Sequence, residues 1–414
     1  MSGSESAMDI AATIRGEDVT DLTKQLVRLP GHRDLKQGES AVADFLVSRF
    51  QSGGISVEAR PVLKERRNVI ATIEGSHDGP TLMFNGHMDT VPVYTWQSGK
   101  DPFTGNVEEG RVVGRGACDM KGGLAAMVVA MEAIKKSGVD FAGKLVFTGV
   151  VGEEGEGSVG AWEIIRNGPQ ADMVIVGEPT RLQVAVSHKG IYCYEIVVRG
   201  KTAHSGTPEK GVNAIMKMSD IIQALKGELI ARLAEKRHPL LGPPTLTVAV
   251  IKGGLAYDVV PDECRILMNY RAVPPELPED LCRNIGNLIK ELNRNDPEID
   301  ARVLTVTRHF PWNYGTLELP AALPLETPPD HVLVRALRSS VIRVRGADAG
   351  IVGVPYWTDA AIFSNAAKTP SVVCGPGDGA FAHSPYEFVP EAELWEASRI
   401  YALTALQLCR QEKT

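Results

Sequence analysis

The sequence predicts an α/β protein: a mostly parallel sheet with helices on both faces, and a smaller ferredoxin-like α+β domain inserted into it. Three observations carry this. Apolar strand-like runs alternate with helical periodicity from about residue 68 to residue 179, the rhythm of a parallel sheet and its covering helices. From about residue 190 the order becomes strand, helix, two strands, helix, strand, which is the ferredoxin-like order. The chain has 414 residues, more than one hydrophobic core usually serves. The expected division is residues 1–189 and 304–414 for the sheet domain and residues 190–303 for the insert.

The first few residues read as a loose tail. Residues 17–52 carry helical spacing, as in SAVADFLVSRF. NVIATIEG and TLMFNGHMD read as short strands, rich in branched and apolar residues. MKGGLAAMVVAMEAIKKSG reads as a helix that stops at Gly138. The strand KLVFTGVV, a glycine-broken acidic loop, the helix SVGAWEIIRNG and the strand DMVIVGEP follow. In the insert, IYCYEIVVRG alternates as a strand does, and GVNAIMKMSDIIQALKGELIARLAEK is a long amphipathic helix. TLTVAVIKGG and CRILMNYRAV are strands, ELPEDLCRNIGNLIKELNR is a helix, and DARVLTVTRHF closes the insert. VLVRALRSSVIRV, SVVCGPG and the helix ELWEASRIYALTALQL then complete the first domain.

Composition narrows the function. Apolar content of 43% and charged content of 23% are ordinary for a globular protein. A net charge of -7 argues against a nucleic-acid partner. The apolar stretch from Leu124 to Ile134 is too short to cross a membrane. The start shows no basic segment followed by an apolar one, so no secretion signal is expected. The six cysteines are dispersed without a CxxC pair, which reads as reduced thiols in the cytoplasm.

The chemistry lies in scattered carboxylates and histidines: His87 and Asp89 in HMD, Asp119, the pair Glu153-Glu154, Glu178 before Pro179, and His383. Alone, each has a plainer reading. HMD makes a polar strand end, Asp119 a helix N-cap, the glutamates a solvated charge pair, Glu178 a turn residue and His383 a loop histidine. Together they form a shell. His87, Asp119, Glu154, Glu178 and His383 are ligand types that suit zinc or a similar divalent ion. Two such ions sharing one carboxylate polarise a carbonyl and activate a water. Glu153, beside a ligand, is a candidate base. Strand ends of a parallel sheet are where such a site gathers. The reading is a hydrolase.

The order HMDT, GRGACDMKGG, TGVVGEEGEG, VGEPT and GPGDGAFAHSPYEFV resembles the M20 metallopeptidase family, which includes acetylornithine deacetylase, succinyl-diaminopimelate desuccinylase, aminoacylase-1 and glutamate carboxypeptidase. The likeness runs from about residue 20 to the end. It implies two divalent ions per chain, zinc or cobalt. His87 and Glu178 would bind one, Glu154 and His383 the other, and Asp119 would bridge them. Asp89 would orient the His87 ring, and Glu153 would act as general base and then acid. The insert resembles the family's lid and dimerisation domain. His204, in GKTAHSGTPEKGVNAI, matches the histidine that stabilises the oxyanion, in dimers across the subunit interface. On its own it reads as a turn residue. Arg271, in MNYRAVP, matches the arginine that grips the substrate carboxylate. On its own it reads as a surface charge. Asp258 stands where many relatives carry asparagine, and its charge would disfavour an acidic substrate tail. His188 and Lys189 carry no assignment. Cys118 has no base to pair with and reads as packing.

The expected protein is thus a cytoplasmic homodimer that hydrolyses a small N-acyl amino acid or dipeptide, nearest to acetylornithine deacetylase. A dipeptidase or carboxypeptidase, a desuccinylase and an N-carbamoyl-amide hydrolase remain as alternatives. A non-catalytic scaffold on the same fold would lack a ligand or the base, and this chain has every one.

Overall fold

Branched and aromatic residues set the strands. In chain order they are β1 (Ser56–Leu63), β2 (Arg66–Glu74), β3 (His77–His87), β4 (Asn106–Glu108), β5 (Arg111–Val113), β6 (Ala142–Val150), β7 (Met173–Pro179) and β8 (Val184–His188). Then come β9 (Gly190–Arg199), β10 (Thr245–Gly253), β11 (Glu263–Ala272), β12 (Asp300–Val306), β13 (Leu325–Glu326), β14 (Ile351–Val354), β15 (Ser371–Gly375) and β16 (Phe388–Pro390). The structure is a computed structural model and describes residues 3–94, 96, 101–306 and 322–409. The chain divides into two units, one of residues 1–186, 326–353 and 358–414, the other of residues 187–325 and 354–357. The second unit starts at Ser187, and within it Lys189 Nζ donates to Pro243 O at 2.6 Å.

The first unit is built on a nine-stranded sheet ordered β1-β2-β6-β3-β7-β15-β8-β13, with β14 on β8. Its centre, β6-β3-β7-β15, is parallel. Antiparallel partners flank it: β2 on β6, β1 on β2, and β8 on β15. All seven residues of β7 are buried, as a central parallel strand covered on both faces must be. The helices Gly122–Ser137 and Glu391–Leu408 pack on the sheet and on each other. Phe84 of β3 meets Tyr401 of the last helix, ring centroids 5.4 Å apart. The Gly122–Ser137 helix ends where expected, on Gly138 at φ 65°, a left-handed cap that glycine adopts without strain.

The expected loose tail is instead a helix, Gly3–Thr13. Ala7, Ile10, Ala11 and Ile14 are buried in the first unit's core. Their i, i+3, i+4, i+7 spacing is an amphipathic stripe that polar neighbours disguise. β1 was also illegible: its exposed, polar alternation and Pro61 do not read as a strand.

In the second unit the sheet order is β10-β11-β9-β12, every pair antiparallel. With helical segments over 214–235 and Pro278–Asn295, this is the ferredoxin-like arrangement. One sheet face is core, carrying Tyr192, Tyr194, Ile196, Cys264, Ile266, Met268 and Tyr270. The long helix starts on Asn213, whose side chain accepts from the Ile215 and Met216 amides. Of the expected closing strand, residues 307–310 lie outside the described residues.

Candidate metal centre

All five expected ligands belong to the first unit. β3 ends in His87, β7 carries Glu178 near its end, and Glu153 and Glu154 follow β6 after Val151 and Gly152. A parallel sheet brings these strand ends to one edge. His87 is buried, and its Nε2 lies 3.0 Å from Asp119 Oδ1 and 3.2 Å from Glu178 Oε1. His383 Nε2 lies 3.1 Å from Asp119 Oδ2 and 3.0 Å from Glu154 Oε1. Two groups result, His87–Glu178 and His383–Glu154, each facing a different oxygen of Asp119. Ligand atoms of His87, Asp119 and Glu154 lie within 4.8 Å of one another, close enough to hold an ion. The donors are imidazole nitrogens and carboxylate oxygens, the set that zinc and similar ions take.

Local backbone explains the aim of each side chain. The turn Ala117–Lys121 carries Asp119, and the peptide after Asp119 is cis. Gly152, at φ 71°, starts the short helical turn Glu153–Glu156. Neighbours on a helical turn point about 100° apart, so Glu154 faces His383 while Glu153 diverges. His383 sits at φ 61°, a left-handed backbone that costs a non-glycine residue roughly 1–2 kcal/mol.

Asp89 meets His87 through its main chain. His87 Nδ1 bonds the main-chain oxygen of Asp89 at 2.9 Å, while the nearer carboxylate oxygen stands 3.7 Å away. The buried Asp89 carboxylate accepts the amides of Glu153 and Glu154, at 3.1 and 2.9 Å. It accepts both amides at the start of the helical turn and so fixes the adjacent glutamates.

The electrostatics follow from crowding acids and imidazoles in a buried space. Burial, reinforced by the Asp119 charge, lifts the Glu178 carboxyl to about 8. Burial opposes charge on His383, but hydrogen bonds to Asp119 and Glu154 raise it to about 11. Burial also favours a neutral Asp119, yet the two histidines hold it well below the usual carboxylate range. Burial pushes Glu153 well above its ordinary value, with Glu154 and Asp359 adding to the rise.

The sequence reading missed Glu387 and Arg115, both buried and paired at 2.6 Å. It also missed Asp359, which is 2% exposed. Cys118 is fully buried, and burial raises its thiol well above the usual range, as a packing residue requires.

In the second unit His204 lies in an exposed turn, its Nδ1 accepting from the Gly206 amide at 3.0 Å. Val259 bridges His204, and Asp258 O accepts the Ser205 amide at 3.0 Å. The Asp258 residue is exposed. Arg271 is half-buried at the end of β11, with Nε donating to Asn269 Oδ1 at 3.2 Å.

Two imidazoles and three carboxylates at the C-terminal edge of a parallel sheet, with a free-standing acid beside them, are the parts of a metal-dependent hydrolase acting on carbon–nitrogen bonds. The chain belongs to peptidase family M20/M25/M40, whose family model matches residues 83–407. It is 30% identical to acetylornithine deacetylase of Myxococcus xanthus over 375 residues, covering 88% of this chain and 91% of that one. It is 28% identical to N-formyl-4-amino-5-aminomethyl-2-methylpyrimidine deformylase of Bacillus subtilis (strain 168), covering 96% of each. Its fold matches the crystal structure of aminopeptidase PepT from Bacillus cereus with a TM-score of 0.75, at 21% identity, covering 96% of this chain and 100% of that one.

Proposed function

We propose that this chain is a two-metal amide hydrolase that releases an amino acid, or a similar amine, from a small N-acyl compound, as acetylornithine deacetylase does. The observation that carries the reading is the division of Asp119, one oxygen toward His87 and the other toward His383. In this reading His87, Glu178 and Asp119 hold one ion, and Glu154, His383 and Asp119 the other. Zinc suits these donors, and cobalt fits the same set. When bound, the ions supply Lewis-acid charge that polarises an amide carbonyl and acidifies a water. Glu153 takes that water's proton and returns it to the leaving amine. Asp89 keeps both glutamates in place through their amides.

The insert supplies the rest. His204 Nδ1 accepts the Gly206 amide, which leaves Nε2 to donate to a tetrahedral oxyanion. The Arg271 fork takes the substrate carboxylate. We assign residues 190–303 to lid and dimerisation, residues 1–189 and 304–414 to catalysis, and the protein to a cytoplasmic homodimer with six free thiols. A second reading, an N-formyl amine substrate without a carboxylate, is favoured by the 96% coverage of the deformylase.

A hydrolysis screen separates these. N-acetylornithine, other N-acetyl and N-succinyl amino acids, N-formyl and N-carbamoyl amines, and dipeptides are offered with zinc, cobalt or manganese. N-acetyl amino acids turning over fastest is the expected result. Arg271→Ala should raise KM strongly for substrates with a free carboxylate and little for their amides. Equal losses on both would make Arg271 structural.

A further inference from the structure

Glu387 lies four residues beyond His383 and has no part in the ligand set. β16 pairs with β5, Val389 opposite Val112 and Phe388 opposite Val113, so this chain segment runs back beside the turn that carries Asp119. Glu387 is fully buried. Its Oε2 accepts from Arg115 Nη1 at 2.6 Å, and its Oε1 accepts the amides of Cys118 and Asp119, each at 3.1 Å. Its main-chain oxygen takes the Gly114 amide at 3.1 Å. The Arg115 guanidinium is buried too, stacked over the Trp96 ring at 5.4 Å. A buried carboxylate costs several kcal/mol of desolvation. Here it is spent on the two peptide groups that decide where the Asp119 side chain stands.

We propose that Glu387, held by Arg115, is a positioning residue that fixes the main chain of Asp119, and so sets how both oxygens of that carboxylate address their histidines. Partners beyond the direct ligands tune metal affinity in this way. The inference rests on the two-metal reading above. Because one peptide segment bears both His383 and Glu387, the His383–Glu154 group and the bridge move together. Loss of the clamp loosens the ion held between them most.

The test is zinc binding by chelator competition, with unfolding of the metal-free protein as a control. Glu387→Asp keeps the charge but is one methylene short of reaching both Arg115 and the amides. It should weaken the second zinc at least tenfold and lower kcat more than it raises KM. Glu387→Gln keeps the length but only one acceptor oxygen, so its NH2 meets either the Arg115 N–H or the two backbone amides, and it should weaken the second zinc as well. Two zincs bound by Glu387→Asp as tightly as by the unmodified protein would overturn the proposal. Fewer than two zincs on the unmodified protein would instead overturn the two-metal reading. Should the variants not fold, amide exchange in the unmodified protein decides. The Cys118 and Asp119 amides should be protected without metal, since Glu387 holds them. Protection that appears only on adding zinc would mean that the ion, not Glu387, orders the turn.

Discussion

Glu153 and Glu154 are neighbours in sequence with different surroundings. Glu154 faces His383, and Glu153 donates its amide to Asp89. Glu153→Gln should therefore cut turnover by roughly 10²- to 10⁴-fold with metal content unchanged, while Glu154→Ala should lose metal. Metal analysis beside kinetics checks both, and equal metal loss would refute the division of labour. Protons compete with metal at the same residues. Without metal, Glu178 stays protonated up to about 8 and His383 up to about 11. Both protons must leave before these residues can act as ligands. The metal-free state thus binds more protons than the metal-bound state, so affinity rises with pH. Zinc affinity should increase steadily from pH 6 to pH 9, with proton release seen by calorimetry in buffers of different ionisation enthalpy. A flat profile would count against these pKa directions. The candidate ligands could be picked out in sequence because His87 and Glu178 end apolar runs and because the five residue types form a set. Glu387 and Arg115 were not, since a buried pair 272 positions apart looks in sequence like two surface charges. The task of Asp89 was hidden for another reason: its partners are main-chain amides, which any residue type provides.

At the level of elements, the site depends on how closely the Gly122–Ser137 helix approaches β7. A Cβ on Gly123 would stand 2.2 Å from the Gly177 oxygen, and one on Gly375 of β15 would stand 2.1 Å from the same atom. Gly177 directly precedes Glu178, so backbone packs on backbone from two sides beside a ligand. Gly123→Ala should destabilise the protein by about 1–3 kcal/mol through overpacking and weaken metal binding as Glu178 shifts. Denaturant unfolding and zinc titration measure the two effects, and a variant as stable as the original would show that the helix can move away. The strands around this point were readable because parallel central strands are apolar throughout. The antiparallel flank was half hidden, because β1 is exposed and polar.

For the whole molecule, the proposed dimer makes a distinct prediction. All the candidate metal ligands lie in one unit, and His204 and Arg271 in the other. If His204 serves its partner subunit, mixing inactive Glu153→Gln and His204→Ala chains should restore partial activity. One site of the mixed dimer then has both residues intact. No rescue, with subunit exchange demonstrated by labelled chains, would place both residues of each site in one chain. The two-unit plan was visible in sequence as a change in strand and helix order near residue 190.

The five candidate ligands are also ordered in time. His87, Asp119 and Glu178 leave the ribosome before the insert does, whereas His383 comes 205 positions after Glu178. At synthesis rates of about 5–20 residues per second, that delay is roughly 10–40 s. Throughout it a nascent chain owns one complete histidine–carboxylate group and half of the other. The order of translation thus gives the two halves of the centre different histories, with the His87 side available to be filled first.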